Sequence, residues 1–198
     1  FTKPTYLTFS DAAKFANIAR NIVQGNGFVD SFSYFGGAKG LPEIKNGYFP
    51  ATWVSPAFPI SLAMAFTLFG INDTAVMLTS FLFFLALVVS VFLLAQLLFG
   101  QLVGILSAIT VIFSPPLLDY AIQGGTETMV MAEIILASYF ILRSHASRPI
   151  AYLILILSYF TRPLAFIYII LLVVLDIVLW QRQPRRVIVS FLVLAVGF

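Results

Sequence analysis

The sequence contains no cysteine, only one histidine and few charged residues in its 198 positions. The absence of cysteine excludes disulfides and thiolate metal sites, and with one histidine no His-His pair can have a metal-ligand spacing. Charged residues make up 10% of the chain, whereas soluble domains carry about 25%. The net charge is +3 and the basic residues cluster only in QRQPRR, so we do not expect nucleic acid as a partner.

Long apolar runs stand in place of the missing charges. Apolar residues make up 61% of the chain, and no charged residue occurs from Thr74 to Leu118. A membrane-spanning helix needs about 20 apolar residues. We therefore expect residues 74–100 and 101–118 to form a hairpin of two spanning helices that turns at Gly100. The runs lack the every-second-residue alternation of strands, so the sequence predicts an all-α, polytopic integral membrane protein.

Residues 1–50 form the polar part of the sequence, because they hold eight of its nineteen charged residues. We interpret them as an extracytoplasmic loop that carries a juxtamembrane helix. Residues 51–198 are then a transmembrane helical region. Its last apolar run is too short to span a bilayer, so we expect this region to be a fragment of a larger membrane domain.

The polar loop contains a predicted amphipathic helix that starts near Ser10 and has Gly25 as the residue after its C-terminus. Its apolar face consists of Phe15, Ile18, Ile22 and Val23. Asp11 falls on that face at about 100° per residue. The polar positions are expected to point elsewhere: Lys14, Asn17 and Asn21. Position alone leaves two roles for Asp11, a carboxylate aimed at whatever the apolar face packs on, or an acid that caps the helix.

The rest of the apolar region divides at prolines, glycines and basic loops. A short helix over residues 59–69 is expected to lie at or partly in the membrane rather than to span it. The next helix follows the hairpin over residues 126–143, with Thr126 as its N-cap. The segment after it is expected to cross outward and return, with a break at Thr161-Arg162-Pro163.

Lysine and arginine positions predict the orientation. The basic loops at residues 143–148 and 182–186 are expected to face the cytoplasm. Glu127 and residues 1–50 then lie on the extracytoplasmic side, which places the protein in a cell membrane with its polar loop outside.

Arg162 is the most unusual ionisable residue of the apolar region, because an arginine in a hydrophobic segment is costly. Three roles are open for it: snorkelling to the interface, pairing with Glu127, or binding a phosphate near the outer surface. Glu127 follows two glycines at a predicted helix start, where an acid also complements the helix dipole.

Three other ionisable residues lie in or beside apolar segments. Glu133 is expected to face a polar cavity or to pair with a tyrosine hydroxyl. Asp176 is expected to pair with an arginine such as Arg182, and His145 to be solvated in its basic loop. The sequence has no Walker loop and no identifiable Ser-His-Asp arrangement.

Four segments occur together in the order typical of one membrane enzyme family. They are SDAAKFANIARNIVQGNGF, SPAFPISLAMAFTLFG, LLFGQLVGILSAITVIFSPPLLDYAIQGGTET and LSYFTRP. This order resembles the GT-C membrane glycosyltransferases, the broad group of dolichyl-phosphate-mannose protein mannosyltransferases and bacterial aminoarabinose transferases. The resemblance implies transfer of a sugar from a polyprenyl- or dolichyl-phosphate-linked donor to a protein, lipid or glycan acceptor outside the cytoplasm. It also implies further membrane helices before Phe1 and after Phe198.

The same resemblance implies the site residues. Asp11 occupies the place of the acid taken as the catalytic base in that family. Arg162, with Glu127, suits the donor phosphate. Many members have a second acid beside the first, but Ala12 stands there in this sequence. The metal site is therefore unknown, no cofactor is assigned, and a divalent cation is left open.

Two other classes of function remain open from the sequence. A secondary transporter also uses short helices broken by glycine and proline and acids within the membrane. The long polar loop and the absence of an inverted repeat argue against it. A non-catalytic membrane subunit would need neither Asp11 nor Arg162.

Overall fold

The computed structural model describes residues 10–31 and 48–179. In these ranges the chain is mainly α-helical, as predicted, with one antiparallel pair of two-residue strands. The elements in chain order are α1 (Ser10–Val23), β1 (Val29–Asp30), β2 (Phe49–Pro50), α2 (Ala57–Phe69), α3 (Asp73–Phe99), α4 (Gln101–Ile112), α5 (Pro115–Gln123), α6 (Glu127–Arg143), a 3₁₀-helix (His145–Ser147), α7 (Arg148–Thr161) and α8 (Ala165–Leu179).

The chain divides into two compact units. The first consists of residues up to Leu82 together with Asp119–Gly125, and the second of Phe83–Leu118 together with the residues from Thr126 onward. Helix α3 contributes its beginning to the first unit and its remainder to the second.

Helix α1 of the first unit ends as the sequence predicts. Gly25 has a φ of 80° and follows the last turn. Its N–H donates to the carbonyl of Ile22 over 3.0 Å, and the N–H of Asn26 donates to the carbonyl of Asn21 over 2.9 Å. These two bonds are those of a Schellman motif, in which a glycine accommodates the left-handed conformation without a Cβ penalty.

The apolar face of α1 packs within its own unit. Phe15 meets the ring of Phe58 on α2 edge-to-face, with the ring centroids 5.4 Å apart. Ile18 forms a small core with Ala51 and Val54, in the chain that leads from β2 to α2. Aromatic contact and burial of aliphatic area thus fix α1 against α2.

One prediction for α1 is wrong. Lys14, Asn17 and Asn21 do not point away from the packed surface, because all three are buried. Helix α1 is covered by β1 as well as by α2, so more than the apolar stripe is enclosed. The two amides tolerate burial because their polar atoms find hydrogen-bond partners.

Helices α2 and α3 meet at a short turn in the first unit. Helix α2 begins at Ala57, two residues before the predicted start, with Pro59 in its first turn, where a missing N–H costs nothing. Asn72 caps α3, since its Oδ1 accepts a bond from the N–H of Ala75 over 2.8 Å.

The hairpin of two spanning helices is only partly correct. Helix α3 has 27 residues and is long and apolar enough to cross a membrane. The second predicted span, residues 101–118, is not one straight helix. It breaks after α4 and continues as α5 at an angle of 60°. The cause is Pro115-Pro116, because a residue that precedes proline disfavours the helical conformation.

The turn between α3 and α4 lies at Gly100, as predicted, and the two helices approach closely in the second unit. A Cβ placed on Gly104 would lie 3.1 Å from the carbonyl oxygen of Phe92 and 3.1 Å from Cβ of Gln96. A side chain at this position would therefore require α3 to shift by a few tenths of an ångström.

Helices α6, α7 and α8 share the apolar core of the second unit. Its buried members are Ala137, Ile141, Ala151, Tyr152, Leu155, Ile169 and Val173. Helix α6 begins at Glu127, and Thr126 takes the N-cap position without a side-chain capping bond. The break between α7 and α8 falls at residues 162–164, as the sequence predicts.

Asp176 is buried and lies between two residues of α7. Its Oδ1 is 2.9 Å from Nη2 of Arg148, and its Oδ2 accepts the hydroxyl of Tyr152 over 2.6 Å. The expectation of an arginine partner is confirmed, but the partner is Arg148. Arg182 lies outside the described residues. Because Arg148 starts α7 and Asp176 is near the end of α8, this pair fastens the open ends of the α7–α8 hairpin.

Candidate functional site

Arg162 stands at the break between α7 and α8 because of the residue that follows it. Pro163 disfavours the helical conformation at the preceding residue, and Arg162 accordingly has φ −154° and ψ 118°. The side chain is directed toward the start of α6, where its Nη1 lies 2.8 Å from Oε1 of Glu127. The sequence left pairing with Glu127 as one of three options, and this pair is confirmed.

The Arg162–Glu127 pair is partly open to its surroundings. The arginine side chain is 41% exposed and the glutamate side chain 20% exposed. An ion pair of this exposure contributes little to stability, about 0–1 kcal/mol. Since a guanidinium carries five N–H donors, the pair with Glu127 leaves donors for a further anion.

Arg162 also lines a cavity of about 500 Å³ in the second unit. The other lining residues come from α6 and from the chain at and after the break: Val130, Met131, Ile134, Ile135, Leu164, Ala165, Ile167 and Tyr168. The described residues that line the cavity are therefore mostly apolar, and the charged group among them is the half-exposed guanidinium of Arg162.

Glu133 lies on α6 about one and a half turns after Glu127. Its Oε1 accepts the hydroxyl of Thr161 over 3.0 Å. The sequence predicted a polar cavity or a tyrosine hydroxyl as its environment, and the structure replaces these with a threonine. A threonine was missed because its single O–H can bond instead to the carbonyl one turn earlier, and Oγ1 of Thr161 also lies 3.1 Å from the carbonyl oxygen of Leu157.

Asp11 lies in the first turn of α1 in the first unit, and its side chain is exposed. It shares the direction of the apolar stripe, but it stands one turn before Phe15, where the covered part of that stripe begins. Asp11 acts electrostatically on Lys14. Burial lowers the pKa of the Lys14 ammonium below its ordinary value, and the negative charges of Asp11 and Asp30 oppose this effect.

Sequence reasoning missed a polar network on the buried side of α1. Asn17 donates from Nδ2 to Oδ1 of Asp30 over 2.6 Å and accepts at Oδ1 from Arg20 over 2.7 Å. Asn21 donates to the carbonyl of Val29 over 2.9 Å. The network ties α1 to β1. Its signal was the spacing of Asn17, Arg20 and Asn21, which recur at three- and four-residue intervals on one helix face.

A second cavity, of about 260 Å³, lies in the first unit. It is lined by Ala13, Ala16, Asn17, Arg20, Phe66, Ile71, Asn72, Asp73 and Val76. These residues of α1 occupy the face opposite Asp11, which is about half a helical turn away at about 100° per residue.

Two further expectations concern metal ligands and histidine. Within residues 10–31 and 48–179, no group of three or more histidine, aspartate or glutamate side chains is arranged to hold a metal ion. His145 is half-buried in the 3₁₀-helix, so it is less solvated than its basic loop suggested.

One of the comparisons with known proteins gives a match. A family model described as dolichyl-phosphate-mannose-protein mannosyltransferase matches residues 54–198, which include Glu127, Glu133 and Arg162. Asp11 precedes the matched residues. No curated protein and no solved structure matches the chain. Because the match covers more than half of the chain, this protein is a glycosyltransferase that belongs to the dolichyl-phosphate-mannose-protein mannosyltransferase family.

Proposed function

We propose that the protein moves a sugar from a polyprenyl- or dolichyl-phosphate-linked donor to a hydroxyl of an extracytoplasmic acceptor. Lipid-linked donors are general to its family. The observation that carries the proposal is the position of Arg162, a half-exposed guanidinium at a mostly apolar cavity. A lipid phosphate has the same two parts, an anionic group and an apolar chain.

Arg162 binds the donor phosphate in this proposal. When the sugar leaves, negative charge develops on the phosphate, and a preorganised cation lowers the barrier. A guanidinium presents a planar fork of donors that matches two phosphate oxygens. Glu127 holds the side chain in place through one terminal nitrogen, so less rotamer freedom is lost when the phosphate arrives.

The cavity beside Arg162 accommodates the start of the isoprenoid chain. Its walls on α6 are aliphatic, from residues such as Val130 and Ile134, and Tyr168 lies on the α8 side. Because the isoprenoid chain reaches the cavity from lipid and not from water, its affinity there comes from close van der Waals packing rather than from hydrophobic transfer. This part of the binding energy is common to carriers of different length and saturation.

Asp11 is the general base in this proposal. It takes the proton of the acceptor hydroxyl as that oxygen attacks the anomeric carbon, and the bond between that carbon and the phosphate oxygen breaks. The lipid phosphate departs with the electron pair. Three features support Asp11: its exposed carboxylate, its position in the first turn of a packed helix, and the resemblance of its segment to the family's acidic loop.

A multi-pass arrangement with residues 1–50 outside the cytoplasm accompanies this mechanism. Helix α3 is long and apolar enough to cross, and the bent pair α4–α5 passes the same test together. Lipid-phosphate sugars that serve extracytoplasmic acceptors present their head groups at the outer surface, which is the side proposed for residues 1–50. The acceptor is a protein, a lipid or a glycan.

The family match favours this proposal over the two other classes that the sequence left open. If the protein were a secondary transporter or a non-catalytic subunit, its residues 54–198 would still match the model of a transferase family. Neither class would explain why the guanidinium of Arg162 is half-exposed beside an apolar cavity.

Sugar transfer from a radiolabelled lipid donor tests the proposal. Membranes that contain the protein are incubated with polyprenyl-phosphate-linked mannose, glucose or aminoarabinose, and the label is followed into protein, lipid and glycan fractions. We expect label in one fraction with the parent chain and not with Arg162→Ala. Equal transfer by membranes with and without the protein for every donor would contradict the proposal.

A further inference from the structure

Two neighbouring residues at the end of α7 are held by the same helix. Thr161 donates its hydroxyl to Oε1 of Glu133 over 3.0 Å, and Arg162 donates from Nη1 to Oε1 of Glu127 over 2.8 Å. Both acids are on α6. The first contact is buried, since Thr161 is 1% exposed and Glu133 8% exposed. The second is half-open.

The backbone of Arg162 is bonded to the end of α7 and to the start of α8. Its N–H donates to the carbonyl of Ser158 over 2.9 Å, and its carbonyl accepts the N–H of Ala165 over 2.9 Å. Pro163 restricts the backbone further. The point from which the Arg162 side chain starts therefore follows where the last turn of α7 lies against α6. The Thr161–Glu133 bond is a buried polar contact between α7 and α6 at that turn.

A contribution to stability does not explain why an acid, Glu133, is buried at this position. Its second oxygen, Oε2, is buried and has no hydrogen-bond partner among the described residues. A buried carboxyl with one oxygen unsatisfied costs free energy relative to an apolar side chain of similar size. An acid retained at this cost, bonded to the residue just before Arg162, suggests a role in the geometry of the site.

We propose that the Glu133–Thr161 pair is a positioning device that sets Arg162 for the lipid phosphate. Neither residue touches the donor. Their bond fixes the last turn of α7 so that the guanidinium fork meets the phosphate while its other side stays on Glu127. This inference rests on the proposed role of Arg162 as the phosphate ligand.

The test separates phosphate recognition from general integrity. The intact protein in lipid nanodiscs is titrated with radiolabelled decaprenyl phosphate and, separately, with decaprenol, which has the same chain without the phosphate. The readout is the ratio of the two affinities. A purely structural defect lowers both affinities together, whereas a misplaced guanidinium lowers only the affinity for the phosphate.

Thr161→Val removes the hydroxyl and keeps the side-chain shape. We expect it to reduce the phosphate-over-alcohol ratio by about threefold to tenfold, the size of one weakened hydrogen bond to a charged group. Thr161→Ser and Glu133→Gln each keep a hydrogen bond at this point and are expected to retain the parent ratio. Thr79→Val is the matched control, because Thr79 is buried and bonds to the carbonyl of Ala75 over 2.8 Å.

A second variant covers loss of folding. Should Thr161→Val fail to purify, the double variant Glu133→Leu with Thr161→Val removes the buried acid together with its partner and is expected to show the same reduced ratio. A parent-like ratio in the variant that folds would overturn the positioning role. Arg162→Ala separates the two hypotheses: a parent-like ratio there refutes the phosphate role of Arg162 itself, whereas a low ratio there beside a parent-like ratio in Thr161→Val refutes only the positioning role.

Discussion

The two units of the chain bury polar side chains in different ways. In the first unit, α1 buries amides that bond to a short strand, through Asn17 to Asp30 and through Asn21 to the carbonyl of Val29. In the second unit, the deeply buried charge of Arg148 is matched directly by Asp176. The half-exposed Arg162 is likewise matched by Glu127.

The contrast follows from the surroundings of each unit. Helices α6–α8 are apolar, and an arginine buried among them is accommodated beside an opposite charge. Glu133 is the exception, since its carboxyl group bonds to the hydroxyl of Thr161. Helix α1 belongs to the polar part of the sequence, where its buried amides bond to the carboxylate of Asp30 and to a backbone carbonyl. The first unit leaves the acid Asp11 exposed, while the second pairs Arg148 and Arg162 with acids.

The largest expected effect concerns two exposed positions, Gln24 after α1 and Ala146 in the basic loop, which we expect to be accessible from opposite sides of the membrane. Cysteine replaces Gln24, exposed after α1, or Ala146, exposed in the basic loop, in a chain that has no native cysteine. We expect a membrane-impermeant maleimide to label Gln24→Cys on intact cells and Ala146→Cys only after permeabilisation. The reverse labelling would refute the proposed orientation.

An aspartate-to-asparagine substitution in each unit compares how much the buried acid contributes to the free energy of unfolding. Asp176→Asn places a neutral amide opposite buried Arg148, and breaking a buried ion pair costs about 3–5 kcal/mol. Asp30→Asn exchanges a carboxylate for an amide that can still bond to Asn17 and is expected to cost less, about 1–3 kcal/mol. Unfolding in mixed detergent micelles gives both values.

A control for these two variants is the apolar double variant Arg148→Met with Asp176→Leu. It removes both buried charges and is expected to recover much of the loss in Asp176→Asn. Equal losses in Asp30→Asn and Asp176→Asn would show that the two units do not differ in this way.

The second unit could be predicted from the sequence more completely than the first. An isolated charge in an apolar run needs a partner, so Glu127 was available for Arg162 and an arginine for Asp176. The choice of Arg148 over Arg182 depends on how α7 packs on α8, which local pattern does not contain. The break of the second span was signalled by Pro115-Pro116, but the apolar composition of residues 101–118 concealed it.

The first unit shows why helix periodicity alone misplaces polar residues. The rule assigns Lys14, Asn17 and Asn21 to solvent because it assumes one buried face. Here α2 and β1 cover α1 on more than one side, and β1 is only two residues long, too short to be read from the sequence. The ends of α1 depend on local chemistry instead, so Gly25 was predicted correctly.

Asp11→Asn tests the chemical role of the exposed acid in the first unit. It keeps the shape of the side chain and removes the base, so we expect turnover to fall by about 100-fold or more, with donor affinity and folding unchanged. The measurement is the rate of sugar transfer at saturating lipid donor.

Asp73→Asn is the matched control for this variant. Asp73 also lies in the first turn of a helix of the first unit, and its substitution is expected to leave turnover within about twofold of the parent, as for most surface changes. An Asp11→Asn protein that turns over like the parent would remove Asp11 from the mechanism and leave the base to be found elsewhere.

The smallest expected effect, Arg162→Lys, distinguishes the two uses of a paired arginine in the second unit. A cation that only balances Glu127 needs one positive charge, which lysine supplies. A cation that clamps a phosphate uses a planar fork, which lysine lacks. We expect Arg162→Lys to weaken donor affinity by about threefold to tenfold, the size of one ordinary hydrogen bond, because lysine keeps the charge and loses only the fork. Arg143→Lys, an exposed position at the other end of α6, is the matched control with parent-like affinity.

Arg162→Ala tests the same two roles. The structural role predicts a loss of stability in this variant, and the phosphate role predicts a loss of donor binding. If Arg162 serves mainly to neutralise Glu127, its removal lowers the unfolding midpoint, and adding Glu127→Ala restores much of the loss, since no unpaired acid remains. If Arg162 serves the phosphate, donor binding is nearly abolished and Glu127→Ala does not bring it back. The half-exposed geometry of the pair makes a small stability change the expected result. A large binding defect together with a small stability change would therefore show that Arg162 binds the donor phosphate. Unchanged donor binding would show that Arg162 serves only to pair with Glu127 on α6.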